Sequence, residues 1–279
     1  MKALILAAGQ GTRLGEISKN KPKCLINLFG KTLLESQIEI LKSANINNIN
    51  IVTGFKSELL KNYDLKQFHN KDFKSTNMVF SMFKAKDLFV SEYEDLIVSY
   101  GDIIYEKKNL DKLLNTNSEV SIMVDLNWKN LWMKRFEDPL SDAETMNFDK
   151  DLNILNLGKK TKNYDDIKGQ YAGLIKFRKD SLGKIHNIYQ NLEGNISNSF
   201  KNLYMTDFIQ ILIKRKIEVK ASLVNGGWLE IDTESDLIKY ISEHPEKFTQ
   251  KEYKFTVSIE LFNWYDRLIP DSDNELDEI

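Results

Sequence analysis

Short apolar runs alternate with amphipathic stretches along the first half of the chain. Residues 2–8 are almost continuously apolar, which is typical of a parallel strand covered on both faces. Residues 32–44 place leucine and isoleucine at helical spacing. The same alternation continues, with strands predicted at 48–53, 95–100 and 119–126 and helices at 56–63 and 77–90. Alternating strands and helices predict βαβ units and a mainly parallel sheet.

The middle of the chain has a different pattern. Strands predicted at 143–148, 152–157 and 170–177 have no long helix between them, which indicates an antiparallel insertion beside the main sheet. The remaining elements are a helix at 204–215, strands at 218–224 and 228–232, and a helix at 233–243 whose Thr233 and Asp236 have the spacing of a capping box. We predict one α/β domain over residues 1–250, Rossmann-like, with three αβα layers, a mainly parallel mixed sheet and a small antiparallel insertion at about 127–178. A helix-like extension with an acidic tail follows at 251–279.

Composition and charge exclude several classes of protein. The 279 residues hold 39 Lys and Arg against 41 Asp and Glu, and this net charge of -2 excludes a strongly basic nucleic-acid binder. An apolar content of 42% argues against disorder. No apolar run approaches the ~20 residues of a membrane span, and the run at 2–8 is a poor signal peptide. The single cysteine can form no internal disulfide and the three histidines lack zinc spacing, so we expect a soluble cytoplasmic protein.

The loop after the first strand has the features of a phosphate site. Gly9 and Gly11 permit backbone conformations that turn N–H groups toward an anion. Arg13 offers a planar fork for phosphate oxygens and Lys23 a compact charge. The first 23 residues hold five basic side chains and one acid. A dinucleotide fingerprint fits badly because Leu14 occupies the position of its third glycine, and a P-loop lacks its Gly-Lys-Ser/Thr sequence.

The segment 6–14 followed by Lys21-Pro22-Lys23 resembles the signature of the nucleotidyltransferase family that includes sugar-phosphate and phosphocholine cytidylyl- and uridylyltransferases. The resemblance covers about residues 1–240 and implies the nucleotide-diphospho-sugar transferase fold. It implies that Arg13 and Lys23 are catalytic, through phosphate binding and transition-state stabilisation. The nucleotide-binding residues that it implies are Leu6, Ala8, Gly9, Gly11, Thr12, Asn77, Ser81, Tyr100 and Gly101. Asn77 and Ser81 also fit simple helix capping.

The same resemblance implies a Mg²⁺ site. Asp102 follows the strand at 95–100, and Asp232 ends the strand at 228–232, where the family has its two metal aspartates. Magnesium is usually held by one or two carboxylates together with substrate phosphates. The alternatives are that Asp102 belongs to an ordinary Gly-Asp turn and that Asp232 caps the following helix.

Two further segments resemble family members that act on phosphocholine, aminoalkylphosphonates or related amines. They begin at Leu131-Trp132 and at Gly169-Gln170, and Gly158-Lys159-Lys160 belongs with them. The acceptor-binding residues implied are Trp132, Arg135, Asp142, Glu144, Lys159, Gln170, Tyr171, Trp228 and Glu230. Aromatic faces beside carboxylates suit an ammonium group. We interpret Trp128 as core.

The resemblance therefore implies a Mg²⁺-dependent cytidylyltransferase that moves CMP from CTP to a small phosphorylated or phosphonate amine. Phosphocholine, 2-aminoethylphosphonate and phosphoglutamine stay open as acceptors, as does a homodimer. We expect no nucleic-acid or membrane partner, and a product that serves cell-surface polysaccharide or lipid modification. The alternatives are a sugar-1-phosphate nucleotidyltransferase, a non-catalytic nucleotide-binding homologue and, disfavoured by Leu14, a dinucleotide-dependent oxidoreductase.

Overall fold

A mixed sheet of seven strands forms the centre of the computed structural model, which describes residues 1–90, 93–195 and 198–243. The strands are β1 (Lys2–Ala7), β2 (Asn27–Leu28), β3 (Lys31–Thr32), β4 (Asn48–Thr53), β5 (Lys66–His69), β6 (Leu96–Tyr100), β7 (Ile103–Tyr105), β8 (Val120–Asp125), β9 (Glu144–Phe148), β10 (Ile154–Lys160), β11 (Gln170–Phe177), β12 (Val219–Val224) and β13 (Trp228–Glu230). The helices are α1 (Leu33–Ser43), α2 (Met78–Met82), α3 (Asp87–Val90), α4 (Lys107–Asn115), α5 (Trp128–Arg135), α6 (Leu182–Asn195), α7 (Met205–Lys214) and α8 (Glu234–Glu243).

The sheet order is β12-β8-β11-β6-β1-β4-β5. β1 pairs in parallel with β4 and β6, β4 with β5, and β12 with β8. Only β11 among these seven strands is antiparallel to its neighbours, β6 and β8. The prediction of a mainly parallel mixed sheet is therefore confirmed.

Helices cover both faces of the sheet. Successive side chains of a strand point to opposite sides, and here both sides carry apolar residues that need to be buried. In β1, Leu4 belongs to one buried cluster and Ala3 and Ile5 to the other. The first cluster takes in α6 and α7, and the second takes in α1 and α4. These three layers agree with the predicted architecture.

The antiparallel part of the middle segment is smaller than predicted. β9 and β10 pair with each other as a separate two-stranded sheet. The third predicted strand, β11, instead lies inside the main sheet, where seven of its eight residues are buried. Its periodicity shows only that it is a strand, and the neighbours it pairs with are set by tertiary contacts.

Several helices differ from the prediction. The helix predicted at 77–90 is broken into α2, a 3-10 turn at Phe83–Ala85 and α3, and the one at 56–63 is a 3-10 turn at Ser57–Leu60. Helices α4, α5 and α6 were not predicted. No helix in the described ranges is long and apolar enough to cross a membrane. The predicted extension at 251–279 lies outside the described residues.

Candidate active site

The glycine-containing loop folds back over Lys23. Gly11 has φ +70°, and a Cβ atom there would lie 3.2 Å from three carbons of the Lys23 side chain. The Ser18 hydroxyl donates to the Gly11 carbonyl at 2.7 Å, which fixes the return of the chain. A side chain at Gly11 would need both a disfavoured backbone conformation and a shift of Lys23. The loop therefore holds Lys23 in place.

Lys23 lies between the two predicted metal aspartates. Its Nζ donates to Asp102 Oδ2 at 2.8 Å and to Asp232 Oδ1 at 2.7 Å. Arg13 Nη2 pairs with the other oxygen of Asp232 at 2.6 Å. The Lys23 and Asp232 side chains are 12% and 15% exposed, whereas that of Arg13 is 66% exposed. Four side chains named from the sequence thus meet in one charge cluster.

The charges in this cluster keep Lys23 protonated. Burial alone would lower the pKa of Lys23, but the carboxylates of Asp102, Asp232 and Glu230 outweigh it and raise the pKa above its ordinary value. Burial also raises the pKa of Glu230, to about 7, with help from the two aspartates and against the charge of Arg135. At neutral pH Lys23 is therefore a fixed cation for binding phosphate.

Backbone contacts bring the two aspartates together from distant parts of the chain. The N–H of Ile231 donates to the carbonyl of Asp102 at 3.0 Å, where β7 and β13 pair. Thr233 caps α8, since its Oγ1 accepts from the Asp236 N–H, and Asp236 Oδ2 accepts in return from the N–H groups of Asp232 and Thr233. The capping box predicted for Thr233 and Asp236 is confirmed. Thr233 and Asp236 thus cap the helix, while the Asp232 carboxylate pairs with Lys23 and Arg13.

A first cavity opens at the ends of β1 and β6. Two members of the charge cluster, Lys23 and Asp102, line it. The predicted nucleotide residues that line it are Leu6, Ala8, Gly9, Asn77, Ser81, Tyr100 and Gly101. Gly11 and Thr12 do not line it. Gly101 is required here, because a Cβ would lie 2.6 Å from the Leu6 carbonyl.

Asn77 and Ser81 also have structural partners. Asn77 Oδ1 accepts from the N–H of Met78 at the start of α2, and its Nδ2 donates to the Asn202 carbonyl. Ser81 Oγ accepts from Asn70 Nδ2 at 2.9 Å. Both side chains thus shape the wall of the cavity.

A second cavity adjoins the first, with Met78 and Tyr100 in the lining of both. Seven of the nine predicted acceptor residues line it: Trp132, Asp142, Glu144, Gln170, Tyr171, Trp228 and Glu230. Lys160 lines it, whereas the predicted Lys159 does not. Gly158 also lines the cavity, and residues two apart on a strand face the same side. The strand pattern of β10 therefore favours Lys160 over Lys159.

Arg135 lines neither cavity, which differs from its predicted acceptor-binding role. Its side chain is 1% exposed, with Nη1 2.7 Å from Glu230 Oε2 and Nε 3.0 Å from Asp236 Oδ1. The whole guanidinium fork is thus occupied by two carboxylates. Arg135 lies behind Glu230 and joins it to the cap of α8.

Other polar contacts fix the walls of the second cavity. Trp132 Nε1 donates to Asp142 Oδ2 at 3.1 Å and Trp228 Nε1 to Asp125 Oδ2 at 2.9 Å. Burial raises the pKa of Glu144 above its ordinary value, although Lys160 opposes the shift. Trp128 lies in the core, 4% exposed, as interpreted from the sequence.

The two aspartates have oxygens suited to a hard cation. Asp102 Oδ1 is buried and has no hydrogen-bond partner. Within the three described ranges, no group of three or more His, Cys, Asp or Glu side chains could hold a metal ion. Two carboxylates are enough to hold a magnesium ion that takes its other ligands from phosphate and water. They are too few for a site in which the protein supplies every ligand.

Known proteins resemble this chain in sequence and in fold. Residues 3–130 match the family described as the MobA-like NTP transferase domain. The chain is 43% identical over 248 residues to the CTP:phosphoglutamine cytidylyltransferase of Campylobacter jejuni. The aligned region covers 85% of this chain and 98% of that protein.

Two solved structures share the fold. The CTP:phosphocholine cytidylyltransferase of Streptococcus pneumoniae matches with TM-score 0.64 and 22% identity, over 84% of this chain and 95% of that one. The inositol-1-phosphate CTP transferase of T. maritima matches with TM-score 0.62 and 19% identity, over 93% and 96%. Because these two enzymes are named for different acceptors, phosphocholine and inositol-1-phosphate, the shared fold does not identify an acceptor for this chain.

Proposed function

Because the chain belongs to the nucleotidyltransferase family, we propose that it transfers CMP from CTP to a small phosphorylated amine. An anionic oxygen of the acceptor's phosphate attacks the α-phosphorus of CTP, and the bond to the β-phosphate oxygen breaks. The products are pyrophosphate and a CDP-activated compound. The observation that carries this proposal is the Lys23–Asp102–Asp232 cluster beside two adjoining cavities, one for each substrate.

In this proposal the first cavity binds CTP. The N–H groups around Gly9, which lines that cavity, receive the phosphates, and Arg13, the most exposed member of the charge cluster, binds the departing pyrophosphate. Lys23 stabilises the charge that develops on the α-phosphate. Because the attacking oxygen is already anionic, no general base is needed, and catalysis rests on positioning and electrostatics.

We propose Mg²⁺ as the metal, with Asp102 and Asp232 as its protein ligands. The support is the buried, unpartnered Asp102 Oδ1 beside a second carboxylate. When bound, the ion would neutralise charge on the phosphates. Lys23 neutralises the same two carboxylates, and its ammonium can pass from them to a phosphate oxygen.

We propose phosphoglutamine, or a phosphorylated amine of similar shape, as the acceptor. The second cavity is lined by three acidic side chains (Asp142, Glu144 and Glu230) and one lysine, Lys160. An acidic lining with tryptophan faces favours an acceptor that carries an ammonium group. The 43% identity to a phosphoglutamine enzyme over nearly all of its length supports this choice. Cytoplasmic location, a homodimer and a role in cell-surface modification stay predictions.

The test is a pyrophosphate-release panel. Purified protein with Mg²⁺ is given each of the four ribonucleoside triphosphates in turn with phosphoglutamine, phosphocholine, 2-aminoethylphosphonate or glucose-1-phosphate. We expect turnover with CTP and a phosphorylated amine, and fastest release with phosphoglutamine. Turnover with the sugar phosphate alone would favour the sugar-1-phosphate alternative. CTP binding without pyrophosphate release from any acceptor would indicate a non-catalytic homologue.

A further inference from the structure

Gln37 is a buried polar side chain on the inner face of α1, among Leu33, Leu34 and Leu41. Its side chain is 1% exposed. It lines neither cavity and takes no part in the charge cluster. A buried amide is costly unless its polar atoms are hydrogen-bonded, so its partners indicate what it does.

The partners of Gln37 lie at the end of β6 and the start of β7, on both sides of the turn that carries Asp102. Nε2 donates to the Tyr100 carbonyl at 2.9 Å and to the Ile103 carbonyl at 2.8 Å. Oε1 accepts from Ser99 Oγ at 2.7 Å. Both donors of one amide thus bind the two carbonyls that flank Gly101 and Asp102.

The orientation of the amide is fixed by its partners. The two carbonyl oxygens can only accept, so Nε2 must face them, while a hydroxyl can donate to Oε1. A flipped amide would place Oε1 against two carbonyls. Gln37 therefore has one arrangement that satisfies all three bonds.

Two backbone bonds hold the same turn from other directions. The Gly101 N–H donates to the Leu6 carbonyl at 2.9 Å, and the Ile231 N–H donates to the Asp102 carbonyl at 3.0 Å. The first ties the turn to β1 and the second ties it to the strand before Asp232. Without Gln37, the turn would be held by these two bonds, the pairing of β7 with β13 and the Lys23–Asp102 bond itself, and its two flanking carbonyls would lose their shared donor.

We propose that Gln37 is a positioning residue that sets where the Asp102 carboxylate stands relative to Lys23 and Asp232. It acts from α1 through two carbonyls and touches no substrate. The inference deepens the proposed function, because the spacing matters for catalysis only if these side chains bind the reacting phosphates. A misplacement of catalytic groups by about 1 Å can cost about 100-fold in rate.

The test compares Gln37→Met with Gln67→Met. Gln67, on β5, also donates from Nε2 to a carbonyl, that of Leu60 at 2.9 Å, but lines neither cavity. We expect Gln37→Met to lower kcat about 10- to 100-fold while the KM for CTP changes less than about threefold. We expect Gln67→Met to keep kcat within about twofold even where its Tm falls comparably. An equal loss of kcat in both variants would overturn the proposal.

Hydrogen exchange gives a readout independent of activity. In Gln37→Met we expect the amides of Gly101 and Ile231 to exchange about tenfold faster, with no such change in Gln67→Met. Unchanged exchange at both amides would overturn the positioning role of Gln37, whatever the kinetics. If Gln37→Met does not fold, Ser99→Ala removes the hydroxyl that bonds Oε1 and the Tyr100 carbonyl but keeps both bonds from Nε2, and a smaller change of the same kind is expected. Absence of wild-type turnover with CTP would overturn the proposed function, while the exchange measurement would still test whether Gln37 positions the turn.

Discussion

At the scale of single residues, Lys23 is held by two carboxylates and keeps its charge in a mostly buried position. Its ammonium binds two carboxylates at 2.7 and 2.8 Å, and its pKa stays above the ordinary value despite burial. Lys23→Met keeps the stem and removes the charge. We expect kcat to fall by about two to three powers of ten, as for loss of one oxyanion-stabilising group.

The matched control for this prediction is Lys19→Met, which removes an exposed lysine from the same loop, paired with Glu16 at 2.9 Å and outside both cavities. Its turnover should stay within about threefold of wild type, since a surface substitution away from the site has small effects. Steady-state pyrophosphate release measures both variants. Near-normal turnover in Lys23→Met would remove Lys23 from the mechanism.

Arg135 allows a different prediction, because the structure places it behind the cavity wall. Removing one partner of a buried ion pair costs about 3–5 kcal/mol, since the other charge is left buried. We therefore expect Arg135→Met to lower the free energy of unfolding by that amount, as measured with urea. The neighbouring Lys134 forms an exposed pair with Glu243 at 2.7 Å, and Lys134→Met should cost at most about 1 kcal/mol. A stable Arg135→Met variant with a raised KM for the acceptor would instead support direct binding.

At the scale of elements, the cap of α1 is a self-contained unit with its own pH dependence. Thr32 Oγ1 accepts from the Glu35 N–H, and the Glu35 carboxylate accepts from the Thr32 N–H at 2.8 Å. The bond from the Thr32 N–H, and after it the bond that the Thr32 hydroxyl donates to the same carboxylate at 2.9 Å, lower the pKa of Glu35 from its ordinary 4.5. Stability from this carboxylate is therefore present above pH 4.5 and lost as the pH falls through the lowered folded-state pKa.

Two variants test the cap. Thr32→Ala should cost about 1 kcal/mol at neutral pH. Glu35→Gln keeps a side-chain acceptor but cannot titrate, so the gap in unfolding free energy between wild type and this variant should shrink below pH 4.5. Glu39→Gln, which removes an exposed acid from the same helix, is the control. A gap that is constant with pH, or that shrinks equally in Glu39→Gln, would contradict the assignment.

The same scale shows what the sequence could and could not predict. Strands such as β1 and β6 were recognisable because a strand buried on both faces is continuously apolar. The position of β11 was not, because periodicity carries no information on which strands pair. The meeting of Asp102 and Asp232 followed from a family motif, whereas Gln37 carried no signal, since a polar residue on a helix normally indicates the solvent face.

At the scale of the whole molecule, the net charge of -2 averages over separate regions. The first 23 residues are basic, while the second cavity is lined by three acids and one lysine. Under the proposed function, this separation would direct an anionic nucleotide and a cationic acceptor group to neighbouring cavities. Since both cavities draw their walls from several strands and helices, ligand binding should stabilise the domain as a unit.

The final prediction follows from that coupling. A ligand that binds only the folded state at 100 times its Kd adds about 2.7 kcal/mol of stability. In a domain of this size, about 1 kcal/mol shifts Tm by about 2–4 °C, so saturating CTP with Mg²⁺ should raise Tm by about 5–10 °C. NADH at the same concentration should leave Tm unchanged, because Leu14 occupies the third glycine position of the dinucleotide fingerprint. Differential scanning fluorimetry decides the matter, with Lys23→Met expected to show a smaller shift with CTP. A shift with NADH and none with CTP would favour the oxidoreductase alternative.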